Sequence, residues 1–298
     1  NNHNNIFVVE KTDCRLFVGK NNAFRETIDH ALVARLIGSG LLSAERDGGW
    51  MDKSYNCSEK THLIKLRNKI KNDVLTVIYK TPKSGYGRVE PRGCLSLGSL
   101  RKEVRHTLCE GQDWKDIDIT NAHPEILRQL CSKANIECKA LEHYCNNREP
   151  CLKDVTKLFI EGFTEDNRDV AKVLYIRLMY GGTAETWLKD MKKEGIIDSS
   201  ISCEMIPPNV FELQKEVDKI SITIQKINPD MVEAIKRVRK KMGKEHNFNG
   251  SFLSYYMQEW ERRMLECVYN MMAQHQYIRG RDAVLCYDGI MIHDTFRC

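Results

Sequence analysis

The sequence predicts an α+β fold in which helices outnumber strands, and three observations lead to this prediction. Apolar residues recur at helical spacing over long stretches, the longest being 251–275. Strand-like stretches rich in β-branched and aromatic residues are short and lie far apart in the chain. No internal repeat links them. With 298 residues, the chain is long enough for one large domain or two small ones, each with its own core.

The first predicted elements lie in the N-terminal part of the chain. Residues 31–37 predict a short helix that Gly38 stops. Residues 73–80 predict a strand, and a flexible basic loop follows at 83–88. The alternation at 115–119 has the period of two that is typical of a second strand.

The C-terminal part is predicted to be mostly helical. A helix begins after Asn121, with Pro124 in its first turn, where proline is tolerated. Further helical stretches cover 152–162, 168–180, 209–242 with a break near Asn228-Pro229, and 251–275. Residues 283–292 then predict a β-hairpin with an acidic tip.

Composition excludes two classes of protein. No run approaches the roughly 18 apolar residues of a membrane helix, and apolar residues are spread too evenly for a disordered chain. The net charge of +5 permits a nucleic-acid partner. The twelve cysteines form no CxxC pair and follow no signal peptide, so we expect reduced thiols in the cytoplasm or nucleus of a host cell. Because the chain starts without methionine, we expect it to be a piece of a longer protein.

Two aspartates on strand-like segments are the first candidate functional residues. Asp118 and Asp288 are flanked by apolar residues, where a carboxylate is costly to bury unless it is paired or bound to a cation. Asp288 alone also fits a simple turn residue, because Asp-Gly favours hairpin turns. The pair together fits a site for two Mg²⁺ ions and phosphoryl transfer. Asp116 competes with Asp118, since both point to one face of the strand.

A stripe of residues on the predicted helix 168–180 suits a nucleoside triphosphate. Arg168 and Lys172 are one turn apart, and Tyr180 lies about two turns further on roughly the same face. The cations can neutralise phosphate oxygens, and the ring can stack near the base. A solvated charged helix face is the alternative interpretation.

These blocks resemble the motifs of family A DNA polymerases and of single-subunit, phage-type RNA polymerases. Asp118-Ile-Thr-Asn-Ala-His123 is similar to motif A, Arg168-x₃-Lys172-x₇-Tyr180-Gly181 to motif B, and Tyr287-Asp288-Gly289 to motif C. Met257-Gln258 opens a long helix, as a Met-Gln pair does in family A enzymes. The blocks occur in the family's order over residues 88–292.

The resemblance implies a right-hand architecture with a palm, fingers and a reduced thumb. It divides the chain into an N-terminal or thumb-like region (1–80), palm with motif A (81–130), fingers with motif B (131–250), and palm with the long helix and motif C (251–298). The implied activity is template-directed transfer of nucleotides to a 3′-hydroxyl, with two Mg²⁺ ions that Mn²⁺ can replace.

The resemblance also implies the catalytic roles. Asp118, Asp288 and the carbonyl of Ile119 would bind the metals, which activate the 3′-hydroxyl and neutralise the departing pyrophosphate. Lys172 and Arg168 would bind the β- and γ-phosphates, with Lys172 as proton donor to the leaving group.

Four further residues are implied to contact substrates. Tyr180 would lie near the templating base and the nucleotide sugar. His123 stands where family A DNA polymerases carry a glutamate that presses against the sugar. Since imidazole can exclude a 2′-hydroxyl or hydrogen-bond it, we expect both dNTPs and some NTPs to be used. Arg88 and Gln258 would contact the DNA or RNA primer–template, Gln258 in the minor groove.

Some motif residues differ from the usual pattern of the family, and the altered form of motif A resembles one branch of the family. Tyr287 replaces the usual histidine of motif C, and Gly289 replaces an acidic or small residue. The form Asp-x-x-Asn-Ala-His-Pro looks most like the polymerases of transposons and viruses. In that branch the polymerase module commonly precedes a replicative helicase and is suspected of priming. We therefore expect a helicase module in the parent chain and a role in viral or mobile-element replication.

A basic run gives a candidate template-binding surface. Lys236, Arg237, Lys240 and Lys241 would follow template phosphates and make affinity salt-dependent. A solvated helix face is again the alternative.

Four cysteines recur at intervals of seven, seven and six residues: Cys131, Cys138, Cys145 and Cys151. This spacing predicts a stripe of buried thiols on one helix rather than a zinc knuckle, which uses short-range pairs.

Two other classes of protein stay open. The altered motif C also fits a nucleic-acid-binding domain that keeps a polymerase fold without activity. A metal-dependent nuclease would share the two aspartates but has no use for the stripe from Arg168 to Tyr180. The sequence does not separate a DNA polymerase, a primase-polymerase and a single-subunit RNA polymerase.

Overall fold

Helices dominate the structure, and its strands are short. The computed structural model describes residues 7–9, 16–42, 58–243 and 246–293. These residues form eleven α-helices: α1 His30–Gly38, α2 Glu59–Arg67, α3 Lys102–Cys109, α4 Ala122–Lys133, α5 Lys139–Asn146, α6 Arg148–Thr156, α7 Glu165–Met179, α8 Ala184–Lys193, α9 Pro208–Ile227, α10 Pro229–Lys241 and α11 Phe248–Gln274. They also form seven strands: β1 Phe24–Thr27, β2 Val74–Val77, β3 Tyr79–Lys80, β4 Glu90–Pro91, β5 Trp114–Asp118, β6 Ala283–Cys286 and β7 Gly289–His293. The predicted α+β class is confirmed.

Most predicted elements are confirmed, with shifts at their ends. The predicted strand 73–80 is two strands, β2 and β3, and the predicted helix over 209–242 is two helices, α9 and α10. Pro229 separates the helices because proline fits the first turn of α10 and cannot continue α9. The predicted helix 152–162 is wrong in its extent, since α6 ends at Thr156. Gly162 then turns the chain with φ +66°, a left-handed conformation that glycine adopts without steric cost.

Helix α7 begins earlier than the sequence predicts. The hydroxyl of Thr164 accepts a hydrogen bond from the amide of Asn167 (3.0 Å) and so caps the helix at Glu165. Arg168 and Lys172 therefore lie in the first two turns.

The predicted single stripe of cysteines is wrong. Two helix ends interrupt the spacing, so the four residues are spread over three successive helices and the residue that caps one of them: Cys131 in α4, Cys138 before α5, Cys145 in α5 and Cys151 in α6. The expected burial is confirmed for all of them except Cys145, which is half-buried. The nine cysteines that the structure describes carry free thiols.

The chain divides into two compact units. The sheet unit comprises residues 13–82, 88–120 and 261–298, and the helical unit comprises 1–12, 83–87 and 121–260. The unit boundaries fall near residues 82, 120 and 260, whereas the resemblance places segment boundaries at 80, 130 and 250. The assignment of segments to thumb, palm and fingers stays a prediction, and part of 1–80 lies outside the described residues.

The sheet unit is built on a three-stranded antiparallel sheet with the order β5-β7-β6. The pairs β1-β2 and β3-β4 form two smaller antiparallel ladders. Apolar side chains from these strands pack with the second half of α11 into one core. In that core Phe24 contacts the rings of Tyr79 and Tyr269 edge-on, with centroids 5.6 Å apart in both pairs.

A buried carboxylate shapes the sheet unit beside β6. Glu26 on β1 is fully buried and accepts hydrogen bonds from the hydroxyl of Ser96 and the amide of Leu97, both at 2.6 Å. These bonds hold a 3₁₀ turn, Leu97–Ser99, against the sheet. Within the turn, a Cβ atom on Gly98 would lie only 2.4 Å from the carbonyl oxygen of Leu285 on β6. Only glycine permits this approach.

The helical unit contains α4 to α10 and the first half of α11. Helix α9 is central in it, since it packs against α5, α7, α8 and α10. It also caps two neighbours: Gln214 accepts a hydrogen bond from the first amide of α8 at Ala184 (3.0 Å), and Glu216 accepts one from Leu141 in the first turn of α5 (2.8 Å). Trp187 on α8 is fully buried. None of the helices that the described residues form has the length and apolar character needed to cross a membrane.

Candidate active site

Two aspartates that are 170 positions apart in the sequence meet at one end of the three-stranded sheet. Antiparallel pairing of β5 and β7 sets Asp118 opposite Gly289, the residue after Asp288. The amide of Ile119 donates one hydrogen bond to the carbonyl of Asp288 (3.3 Å) and another to the carboxylate of Asp118 (3.0 Å). The structure therefore brings together the three residues for which metal binding is predicted.

Gly289 is required by the closeness of β5. A Cβ atom at this position would lie 2.7 Å from the carbonyl oxygen of Ile117 and 3.0 Å from a carboxylate oxygen of Asp118. A larger residue at this position would therefore force the end of β5 away from the start of β7.

Asp288 lies in a negatively charged environment. Burial, and after it the nearby carboxylates of Asp118 and Glu261, raise the pKa of its carboxyl to about 6, although Arg88 acts in the opposite direction. Asp118 is exposed, whereas Glu261 is fully buried. A divalent cation near Asp288 would offset the mutual repulsion of these groups.

The side chain of Arg88 is held by contacts with Glu261 and Tyr287 within the sheet unit. Its guanidinium donates two hydrogen bonds to Glu261, at 2.6 and 2.7 Å, in a bidentate pair. The same guanidinium lies over the ring of Tyr287, 4.6 Å from its centroid. Tyr287 has φ +57°, which is unfavourable for a side chain of this size, and the stacking helps to hold it there. The predicted contact of Arg88 with the primer–template stays a prediction.

Glu261 was missed by sequence reasoning. A glutamate in the stretch Glu259-Trp-Glu-Arg-Arg263 is typical of a solvated helix face, so its full burial gives no local signal. Asp116, the rival of Asp118, lies 3.7 Å from the guanidinium of Arg105 and is exposed.

The oxygen atoms that Asp118, Asp288 and Ile119 offer are of the chemical type that Mg²⁺ prefers. Two carboxylates and a main-chain carbonyl are hard oxygen ligands, and Mg²⁺ commonly takes one or two carboxylates and completes its shell with water and substrate phosphates. Within the part of the chain that the structure describes, no cluster of three or more His, Cys, Asp or Glu residues could hold a metal by itself.

The helical unit carries the second group of predicted residues. Arg168 donates two hydrogen bonds to Glu149 on α6, at 2.6 and 2.8 Å. Lys172, one turn further along α7, is half-buried, and no described residue forms an ion pair or hydrogen bond with its ammonium group. The ammonium of Lys172 is therefore available to a ligand, whereas Arg168 must share or exchange its partner to bind one.

Tyr180 and His123 form a pair in the helical unit. The hydroxyl of Tyr180, at the C-terminal end of α7, is hydrogen-bonded to Nδ1 of His123 in the first turn of α4. The rings meet edge-on with their centroids 5.7 Å apart. His123 is buried and Tyr180 is half-buried. The two residues predicted to contact the nucleotide sugar are thus neighbours.

Gln258 lies beside the loop 83–87. Its amide nitrogen donates to the hydroxyl of Ser254 (3.1 Å), and its Oε1 would lie 3.3 Å from a Cβ atom on Gly87. Gly87 has φ +102°, and its amide donates to the buried Glu259 (3.0 Å). A larger residue at Gly87 would crowd Gln258.

The predicted template-binding residues are all exposed on α10: Lys236, Arg237, Lys240 and Lys241. Lys236 forms an ion pair with Glu233 (3.0 Å), and Arg237 donates to the carbonyl of Glu233 (3.3 Å). The face is basic because Glu233 balances only part of its charge.

Comparison with known proteins finds similarity to a viral protein. A protein of the Sputnik virophage named "Putative helicase V13" is 28% identical to this chain over 208 residues. The match covers 70% of this chain and 24% of the virophage protein, so the chain spans about a quarter of that protein's length. No protein-family model matches the chain.

Proposed function

We propose that this chain is a template-directed nucleotidyltransferase, a DNA polymerase or primase-polymerase that adds nucleotides to a 3′-hydroxyl. The observation that carries the proposal is that Asp118, at the end of β5, lies opposite Gly289 on β7 and therefore beside Asp288, at one end of an antiparallel sheet. The resemblance to the ordered motifs of family A polymerases supports the proposal. A right-hand architecture with palm and fingers is part of what we propose.

In this proposal the sheet unit provides the ligands of two Mg²⁺ ions, or of Mn²⁺ in their place. Asp118, Asp288 and the Ile119 carbonyl bind them. When bound, the ions would lower the pKa of the primer 3′-hydroxyl and neutralise the charge of the pyrophosphate. Gly289 keeps the carboxylates close, and Glu261 with Arg88 supports the turn that carries Asp288.

The helical unit binds the incoming nucleotide. Lys172 neutralises the triphosphate and donates a proton to the leaving pyrophosphate, because its ammonium has no competing partner among the described residues. Arg168 contacts the phosphates by exchanging Glu149 for them. Tyr180 and His123 contact the sugar, and Gln258 contacts the minor groove of the primer end.

The viral relative supports a place in viral or mobile-element replication. Its name refers to a helicase, and it extends well beyond the matched region. A polymerase module joined to a helicase module fits this observation. DNA, with RNA as a second template or primer, is the proposed nucleic-acid partner.

The test is extension of a labelled primer–template by the purified chain with Mg²⁺ and either dNTPs or NTPs, with a second reaction that lacks primer. We expect extension by the wild-type chain, loss of extension on chelation of Mg²⁺, and loss in the variants Asp118→Asn and Asp288→Asn. Asp116→Asn is the matched control, since Asp116 is exposed on the same strand and pairs with Arg105.

The other outcomes identify the alternatives. Shortening of the primer with both metal ions would indicate a nuclease. Binding of the primer–template without any extension would indicate a domain that has lost activity. Products from NTPs alone without primer would favour a primase or RNA polymerase over a DNA polymerase.

A further inference from the structure

Two main-chain segments of the helical unit approach each other very closely beside Tyr180. A Cβ atom on Gly250, the third residue of α11, would lie 1.9 Å from the carbonyl oxygen of Tyr180 and 2.7 Å from the amide nitrogen of Gly181. Real Cβ atoms are not found at such distances from main-chain atoms. The C-terminal end of α7 and the N-terminal end of α11 are therefore in direct main-chain contact at a glycine.

Asn247 completes this junction with its side chain. Its Nδ2 donates a hydrogen bond to the carbonyl of Tyr180 (3.0 Å), and its Oδ1 accepts one from the amide of Gly250 (3.3 Å). A Cβ atom on Gly181 would lie 2.6 Å from the same Oδ1. Asn247 has φ +51°, which asparagine tolerates better than most residues. Gly181, Asn247 and Gly250 thus each have a steric or hydrogen-bonding reason to be what they are.

A third helix anchors the junction. Asn249 at the start of α11 accepts hydrogen bonds from Ser221 (3.1 Å, to its carbonyl) and Gln225 (3.0 Å, to its side chain), both on α9. The first turn of α11 is therefore fixed to α9, and it fixes the main chain of Tyr180 in turn.

We propose that Asn247 and Gly250 are positioning residues for the nucleotide sugar. They hold the main chain of Tyr180, whose hydroxyl is bonded to the buried His123, and so they set where the Tyr180–His123 pair lies. This inference rests on the proposed function, in which that pair contacts the sugar of the incoming nucleotide. Neither positioning residue needs to touch the nucleotide.

Gly250→Ala has opposite expected effects on the helix itself and on the junction with Tyr180. Alanine is a better helix former than glycine, so Gly250→Ala would by itself stabilise the first turns of α11. The added methyl group instead meets main-chain atoms, which cannot move aside as a flexible side chain can. The end of α7 must therefore shift.

The experiment compares Gly250→Ala and Asn247→Asp with the wild type and with the control Gly38→Ala. Gly38 is also helical, and a Cβ atom there meets nothing within 4 Å. Asn247→Asp keeps the shape and the acceptor for Gly250 but loses the donor to Tyr180. Single-nucleotide insertion of dATP and ATP gives KM, kcat and the discrimination ratio, and ¹⁵N NMR of labelled histidine reports the hydrogen bond at His123 directly.

We expect both variants to raise the KM for dATP about tenfold, the scale of one lost hydrogen bond, with a smaller change in kcat. We also expect them to change the dATP-to-ATP ratio and to shift the His123 resonance, while Gly38→Ala matches the wild type. If Gly250→Ala does not fold, Asn247→Asp decides.

Kinetic constants and a His123 resonance equal to those of Gly38→Ala would overturn the inference while the proposed function stands. If the wild type inserts no nucleotide, the proposed function fails, and the His123 resonance alone decides on the positioning: a shift in Asn247→Asp supports it, and an unchanged resonance overturns it.

Discussion

The main-chain amide of Ile119 donates a hydrogen bond to the carbonyl oxygen of Asp288, 3.3 Å away. This bond continues the pairing of β5 with β7 by one residue and ties the segment after Asp118 to the turn that carries Asp288. The two carboxylates are therefore fixed by main-chain geometry and not by long side chains. In the proposed function, this main-chain geometry would hold the two metal ligands in place.

We predict that Asp288→Asn abolishes nucleotide incorporation and yet stabilises the metal-free protein at pH 7.5. Because the folded-state pKa of Asp288 is raised to about 6, the ionised carboxylate becomes a cost as the pH rises through that value, and the amide removes it. Urea unfolding in the presence of a chelator measures the free energy of unfolding. A less stable Asp288→Asn protein under these conditions, with Asp116→Asn unchanged, would contradict the electrostatic description of the site.

We predict that Lys172→Ala chiefly lowers the rate of incorporation, whereas Arg168→Ala chiefly weakens nucleotide binding. Each variant removes a charge-assisted phosphate contact worth about 1.5–3 kcal/mol, which corresponds to a change of about 10-fold to 150-fold. Glu149→Gln is the matched variant, because it releases Arg168 from its ion pair without removing the guanidinium. Pre-steady-state kinetics measure both constants. Nucleotide binding that is weakened equally by Glu149→Gln and Arg168→Ala would show that Arg168 acts only through α6.

We predict mixed sugar selectivity, with ribonucleotides inserted at a measurable rate and His123→Ala inserting them more readily. Imidazole can block a 2′-hydroxyl or bond to it, and alanine can do neither. Insertion of dATP and ATP opposite template T gives the ratio. Tyr180→Phe is the companion variant, since it removes only the hydroxyl that bonds to His123. An unchanged ratio in His123→Ala would remove this residue from the sugar site.

We predict that neutralising Lys236, Arg237, Lys240 and Lys241 together weakens template binding and flattens its dependence on salt. Each lost phosphate contact should reduce the slope of log affinity against log salt by about 0.9 for a duplex. A control in which four exposed lysines outside α10 are neutralised matches the change in net charge: Lys60, Lys65, Lys69 and Lys71. Equal slopes for both variants would assign the α10 residues to an ordinary solvated surface.

We predict that Glu26 makes the folded state less stable as the pH rises from 4.5 to 7. Burial raises its folded-state pKa to about 7 from 4.5, so its stabilising effect is fully present below pH 4.5 and is lost as the pH rises through 7. The shift corresponds to about 3 kcal/mol. Glu26→Gln should remove this slope from the pH dependence of the unfolding free energy. If the unfolding free energy of the variant depends on pH as steeply as that of the wild type, a group other than Glu26 titrates in this range.

The sequence was sufficient to predict those features that depend on local spacing. The helix bearing Lys172, the hairpin at Asp288 and the break at Pro229 follow from periodicity and turn chemistry, and the structure has all three. Asp118 and Asp288 could be selected as a pair because each is an acidic residue with apolar neighbours in a strand-like segment of the sequence. Their proximity then follows from the pairing of two strands.

The features that the sequence did not predict depend on partners far away in the chain. Glu261 pairs with Arg88 across 173 positions, and Asn247 holds Tyr180 across 67. No local pattern distinguishes a glutamate that will be buried from one on a solvated helix face. The role of Gly250 could not be predicted for the same reason. The need for glycine in a helix is evident only when the segment packed against it is known.

The close approach of Gly98 to β6 also bears on self-association. In the order β5-β7-β6, β6 lies at the edge of the sheet, where unpaired main-chain groups can template a strand from another molecule. The carbonyl of Leu285 on that edge is covered by the Gly98 turn. Just before β6, Asp282 forms a bridge to Arg25 on β1. The three-residue turn Leu97–Ser99 thus helps to shield β6, the strand that leads to Asp288, from edge-to-edge aggregation. The turn can lie this close to the carbonyl of Leu285 only because its middle residue is glycine.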